Sequence, residues 1–139
     1  MGRTTTIGVA ALLLLVGCTP PPQTAASACV APLKPAVQVD LYFGRVTDKG
    51  REITEGEWAS FLNDEVTPRF PAGLSVLDVA GQYRGSTGAI HRERSKLLVV
   101  VVFDASAHGP KVQAIVDVYS KRYNQESVLR VEHAVCAGV

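Results

Sequence analysis

Leu97-Leu-Val-Val-Val-Val-Phe103 is an unbroken run of apolar residues, mostly β-branched, set between the polar segment 91–96 and Asp104. Continuous apolarity without alternation predicts a strand buried on both faces, central in its sheet and covered from two sides. The remaining elements arrange themselves around it. Residues 38–45 alternate, with Val39, Leu41 and Phe43 to one side and Asp40 and Tyr42 to the other, as in a strand with one apolar face. Thr47-Asp-Lys-Gly50 reads as a turn. Thr54-Glu-Gly-Glu57 matches a capping box, and Trp58, Phe61, Leu62 and Val66 follow at helical spacing until Pro68 stops the helix.

Residues 74–84 form a second strand, with Ser75, Leu77 and Val79 on one side and Val76, Asp78, Ala80, Gln82 and Arg84 on the other. Gly85-Ser-Thr-Gly88 supplies the hairpin turn into the third strand, residues 90–103. Gly109-Pro110 opens a second helix with proline at its first position and an apolar stripe of Val112, Ile115, Val116, Tyr119 and Tyr123. Residues 127–136 are the last strand: Leu129, Val131 and Val135 face one way, Arg130 and Glu132 the other.

The order β-α-β-β-α-β, with right-handed crossovers, predicts an α+β ferredoxin-like sandwich. Its four-stranded antiparallel sheet has strand order 4-1-3-2 and carries both helices on one face. The apolar third strand is then central, as its two-sided apolarity requires. An open sheet with a loosely associated helical hairpin is the fallback architecture.

The first residues do not belong to this domain. Arg3 precedes an apolar stretch, Ile7 to Val16, and Leu15-Val-Gly-Cys18 resembles the lipobox of bacterial lipoproteins. That resemblance implies a signal peptide over residues 1–17, cleavage before Cys18, and lipid on the Cys18 sulfur and amino group. The apolar stretch is short for a bilayer span, and several acyl chains anchor a protein stably where one does not. Residues 18–35, rich in Pro, Ala, Ser and Thr, read as an extended spacer. Residues 36–139 are the folded domain. The expected location is a cell envelope, with the membrane as partner through the lipid. Thr19 after the cysteine favours the periplasmic side of an outer membrane where the organism has one.

Without Arg3, 13 basic residues balance 13 acidic ones, and basic residues cluster in no stretch beyond 92–96, which argues against nucleic acid as a partner. Cys29 and Cys136 remain once Cys18 carries lipid. An exported compartment permits a disulfide, and neighbouring antiparallel first and last strands would bring the two together. Two free thiols are the alternative. The histidines His91, His108 and His133 lack metal-ligand spacing, Ser86, Ser95 and Ser106 lack a nucleophile context, and Gly81-Gln-Tyr-Arg-Gly85 is no phosphate loop, so no metal, cofactor or catalytic residue is assigned.

Several stretches together resemble a known family. They are Leu41-Tyr-Phe-Gly44, Glu57-Trp58, Thr67-Pro-Arg-Phe-Pro71, Gly73-Leu74, Gly81-Gln82, Arg92-Glu-Arg-Ser-Lys96 and Gln125-Glu-Ser-Val-Leu-Arg-Val131. The family is DUF3574, bacterial envelope proteins with no assigned activity, and the resemblance spans about residues 38 to 137. Tyr83 departs from the tryptophan expected after Gly-Gln. The resemblance implies export and a shared fold, and no chemistry.

The open face of the sheet is the expected working surface. The third strand presents there either Leu98, Val100 and Val102 or Leu97, Val99 and Val101, with Asp40, Tyr42, Asp78, Gln82, Arg84, Arg130 and Glu132 around them. A contiguous exposed apolar patch implies a partner or ligand, and a homodimer through this face is the expectation. Arg69, Glu93 and Arg94 form a second candidate, a polar cluster that either binds a polar small molecule or pins the loop after the first helix through an Arg69–Glu93 pair. The functional expectation is a lipid-anchored binding or assembly module. Its rival is a small enzyme of the dimeric α+β barrel type acting on a polar small molecule.

Overall fold

A computed structural model describes Met1 and residues 29–139. Apart from Met1, the segment read as a signal peptide, Cys18 and most of the segment read as a spacer lie outside the described residues. The elements are β1 (Lys34–Gly44), α1 (Glu55–Phe61) continued by a π-helical turn (Leu62–Val66), β2 (Ser75–Arg84), β3 (Ile90–Val102), α2 (His108–Tyr123) and β4 (Leu129–Ala137). The sheet is antiparallel throughout, in the order β2-β3-β1-β4, which is the ferredoxin-like order expected. β1 begins at Lys34, so the end of the segment read as spacer is already strand.

β1 and β3 share the centre, and their register sets what each face carries. Val39 pairs with Val100 and Leu41 with Leu98; all four are buried under the helices. Trp58, Phe61 and Val66 from the first helical segment and Val112, Ile115, Tyr119 and Tyr123 from α2 close over them. Phe43 is the hub: its ring centroid lies 5.4 Å from Trp58, 5.6 Å from Phe61 and 4.6 Å from Tyr119. Such tilted and edge-on aromatic packing fills the space between one sheet face and two helices. Truncating Phe43 to alanine would cost about 3–5 kcal/mol, a large share of the stability of a domain this size.

The predicted capping box is present. The Thr54 hydroxyl accepts from the Glu57 backbone N–H at 3.2 Å, and the Glu57 carboxylate accepts from the Thr54 backbone N–H at 2.9 Å. α2 starts at His108, so Pro110 sits within its first turn rather than at its first residue. Asn124 ends that helix in the left-handed conformation (φ 53°), a role asparagine fills when glycine does not.

Two cationic groups are buried on the helix side. Arg45 donates through Nε to the Ile53 carbonyl at 2.8 Å and pairs with Glu55 at 2.8 Å. Lys96, which pairs with Phe43 in register, sits between Glu55 at 3.0 Å and Asp78 at 2.5 Å. Buried charges persist where each has a partner, and here Glu55 serves both cations.

Cys29 and Cys136 form a disulfide, with Cα atoms 5.6 Å apart. It lies where β1 enters the sheet and β4 leaves it, since Pro35 pairs with Cys136. Among the described residues, the core, the four strands, the helices and the disulfide form one continuous unit over residues 29–139.

Candidate functional site

The uncovered face can be read row by row from the register. One row crosses all four strands: Leu77 on β2, Leu97 on β3, Tyr42 on β1 and Leu129 on β4. On one side of it, toward the disulfide, come Ser75, Val99, Asp40 and Val131, then Val101, Gln38 and His133. On the other side come Val79, Ser95 and Gly44, then Gly81 beside Glu93, then Tyr83 beside His91. The set of β3 residues on this face is therefore Leu97, Val99 and Val101. Leu98 and Val100 are buried beneath the helices, and Val102 packs against the same core.

Several expected placements are corrected by this register. Tyr42 and Asp40 lie on the open face. Asp78, Gln82, Arg84, Arg130 and Glu132 alternate onto the helix side instead. Asp78 pairs with the buried Lys96, and Glu132 accepts hydrogen bonds from Arg130 and contacts His108 Nε2 at 3.0 Å. β2 and β4 are edge strands, so their helix-side positions reach the rim of the helical layer, where water and ion partners accommodate charge. Leu77, Val79, Leu129 and Val131 face the uncovered side, while Val76 packs against the core beside Leu98. The second candidate, the polar cluster, does not assemble. Arg69 pairs with Glu65 at 3.1 Å, Arg94 with Glu52 at 3.4 Å, and Glu93 stands on the opposite face of the sheet from Arg94. His133 is exposed on the open face, 3.9 Å from Asp40.

Between the Tyr42 row and Tyr83 the small residues Gly44, Ser95 and Gly81 leave a groove of about 350 Å³. The α2–β4 connection, Gln125 to Ser127, closes one side. A second depression of about 490 Å³, lined by Val46, Thr47, His91 and Asn124, shares Tyr83, Glu93, Gln125 and Glu126 with the first. The volumes fall within the range of about 300–1,000 Å³ usual for small-molecule sites.

Glu93 is the groove's central polar group. It is half-buried, and among the described residues no lysine, arginine or histidine stands within ion-pair distance of it. Burial pushes its carboxyl above the ordinary glutamate range; His91 and the Val46 backbone N–H act the other way without overcoming it. Tyr83 stacks on His91 with ring centroids 5.2 Å apart, and its hydroxyl is pushed up by burial, then by Glu93 and Glu126. Gln125 donates through Nε2 to the Val46 carbonyl at 2.7 Å. A carbonyl only accepts, so this bond orients the amide and frees its oxygen toward the groove.

Sequence reasoning named Glu93 but gave it the wrong neighbours. It missed Gly44, Gly81, Ser95 and Gln125 as a group, because they come from four separate elements. A signal was nevertheless there: Leu41–Gly44, Gly81-Gln82, Arg92–Lys96 and Gln125–Val131 all meet at this groove. Among the described residues no three His, Cys, Asp or Glu stand together as a metal cluster, and no helix is long and apolar enough to cross a membrane.

Solved structures of the same fold include a phage SAM lyase in complex with S-methyl-5'-thioadenosine, with TM-score 0.56 and 15% identity, covering 75% of this chain and 90% of that one. The phage SAM lyase in its apo state gives TM-score 0.54 and 19% identity over 73% and 84%. CutA1 from Oryza sativa gives TM-score 0.52 and 8% identity over 76% and 84%. At these identities the likeness is one of fold. No curated protein matches the chain at a significant level. A family model described as "Protein of unknown function (DUF3574)" matches residues 38–138, from the middle of β1 to the end of β4, and the chain belongs to that family.

Proposed function

We propose that the domain is a tethered binding and assembly module that pairs with a second copy through the apolar row of its open face. The observation that carries this reading is the uncovered row Leu77–Leu97–Tyr42–Leu129, whose outer members are 48% and 61% exposed. Exposed apolar surface of that continuity marks a contact surface. A two-fold axis lying in the interface, parallel to the sheet, would lay the row of one copy on that of the other, the self-complementary contact of a symmetric dimer. Four strands at about 4.8 Å spacing and ten residues at about 3.3 Å give the face a footprint of about 600 Å², close to the roughly 800 Å² per partner of a standard interface.

The lipobox at Leu15–Cys18 supports attachment to a bacterial envelope by lipid on Cys18. The chain enters the domain at Cys29, at the end of the sheet opposite the groove, so a tether there presents the groove away from the bilayer.

Sedimentation velocity on residues 29–139 tests the association. A concentration-dependent dimer that Leu129→Lys converts to monomer is the expected result. A wild-type domain that stays monomeric at high concentration overturns the reading.

The second reading, a small enzyme of the dimeric α+β barrel type acting on a polar small molecule, draws on Glu93, since a recessed acid can hold or move a proton. An enzyme would need a second reactive group converging with Glu93 on one point. The neighbours Ser95, Gln125 and Tyr83 suit holding a ligand better than transforming it.

A further inference from the structure

The groove carries its own chemical signature beside the apolar row, with which it shares Tyr42 and Leu129. Three acceptor oxygens converge above Gly44. Measured from the point where a Cβ on that glycine would stand, Glu93 Oε1 lies at 2.7 Å, Gln125 Oε1 at 2.9 Å and Glu93 Oε2 at 3.0 Å. Gln125 cannot turn its amide nitrogen inward without giving up its bond to the Val46 carbonyl. The inner wall of the groove therefore offers acceptors from two side chains; the Val46 backbone N–H acts on Glu93, and among the described residues no cation stands within ion-pair distance of it. A half-buried carboxylate without a cation costs free energy in the folded protein, and a bound cation with N–H groups removes that cost.

The rest of the lining says what such a cation is attached to. Tyr42 on one side and Tyr83 on the other present aromatic rings, and Val79 adds an aliphatic floor. Aromatic rings attract cations over their faces, and flat apolar bodies pack well against them. A bare, strongly hydrated ion would leave these walls unused.

We infer that the groove binds a small organic cation bearing N–H donors on a flat apolar body, its charged end against Glu93 and Gln125 Oε1 and its body against Tyr42 and Tyr83. The ligand class is an amidinium, guanidinium or primary ammonium compound small enough for about 350 Å³. Charge-assisted hydrogen bonds to the carboxylate give orientation, and the aromatic walls give the apolar contact.

The probe is benzamidine, with neutral benzamide as its near-isostere, titrated into residues 29–139 and followed by amide NMR. Benzamidine is expected to give saturable shifts at Gly44, Gly81, Ser95 and Gln125, with benzamide at least tenfold weaker. Glu93→Gln is expected to weaken benzamidine at least tenfold while its other resonances stay in place. Gly81→Leu is the second variant. A Cβ at Gly81 meets Ser95 Oγ at an ordinary 3.8 Å, so the new side chain fills the groove without disturbing the sheet, and it should abolish binding. Equal binding of benzamide, no saturable binding of benzamidine, or unchanged benzamidine binding in both variants would overturn the inference. Tyr42 and Leu129 line both the groove and the associating row, so sedimentation is read on the ligand-free domain and the groove on the difference between benzamidine and benzamide, which keeps the two readings separately testable.

Discussion

Gly44 and Glu93 occupy each other's space: a Cβ on Gly44 would stand 2.7 Å from Glu93 Oε1, closer than real Cβ atoms approach an oxygen. The glycine is there so that a carboxylate can lie against the β1 backbone. The same residue's carbonyl accepts the Tyr119 hydroxyl at 2.8 Å from the helix side, so the site and the core meet at one peptide unit. Gly44→Ala should therefore fold, because the atom in the way is the end of a flexible side chain. Its stability should change by less than about 1 kcal/mol, since pushing Glu93 toward water offsets the crowding. The groove should lose benzamidine binding by tenfold or more. Thermal melts and the NMR titration, run side by side, check both halves. A variant that binds normally would mean Glu93 does not need that space.

Glu93 also makes a signed prediction about pH. Burial raises its folded-state pKa above the unfolded value. Below the unfolded pKa the group is protonated in both states and costs nothing. As pH rises past that value, the unfolded chain ionises first, and the folded state loses relative stability until the raised folded pKa is passed. Glu93→Gln should accordingly raise the melting temperature at pH 7 and leave it nearly unchanged at pH 4. An equal shift at both pH values would show that the carboxylate's charge is not the cause. A residue that lowers stability where it stands is what a binding site tolerates for the sake of its ligand.

Glu55 predicts the opposite slope. Hydrogen bonds from Arg45 and Lys96 hold its carboxyl down at about 2, and Arg51 with Thr54 holds Glu57 down at about 2. A depressed carboxylate contributes stability above its ordinary pKa of about 4.3, and that stability is lost as pH falls toward the folded value. Melting temperature should be flat near neutrality and fall between about pH 4.5 and pH 2. Glu55→Gln should lower it at pH 7, because Arg45 and Lys96 are buried and lose their shared partner, and should make the acid slope shallower. Circular dichroism melts across that range decide it. An undiminished acid slope in the variant would assign the transition to other carboxylates.

The sandwich and its strand order are legible in the amino-acid sequence because residues 97–103 are apolar at every position. Only a central strand suits that run, and the β-α-β-β-α-β order then allows few arrangements; the expected cover on the second face is not present within the described residues of one copy. The faces of the edge strands are not legible in the same way. Alternation groups Leu129 with Val131 and Arg130 with Glu132, but it does not say which group meets the helices. The expectation that the charged residues of the edge strands face the open side fails because Asp78 and Glu132 turn to the helix side, where they partner Lys96 and His108. Lys96 was the sign: a lysine in register with Phe43 must point under the helices, and it takes Asp78 with it. The groove escapes sequence reasoning for a different reason. Its defining residues are small, and a glycine or serine announces space only once the register shows what stands beside it.

The disulfide yields a prediction that separates stability from the site. Cys29 and Cys136 are 107 residues apart, and a closed loop of that length is worth about 4 kcal/mol in the chain-entropy account. Replacing both cysteines with serine should lower stability by up to that amount, measured by urea unfolding. The slope of the transition should rise, because the unfolded chain becomes free to expand and expose more surface. The groove should respond differently. Gly44, Glu93 and Tyr83 lie at the end of the sheet far from the bridge, and the β1–β3 and β1–β4 ladders between them are continuous. Under conditions where the serine variant is still folded, benzamidine affinity should match that of the wild type within about twofold, the level at which separate sites behave additively. A larger loss of affinity in the folded variant would mean that β4 shifts along β1 when the bridge is cut, moving the 125–127 segment that closes the groove.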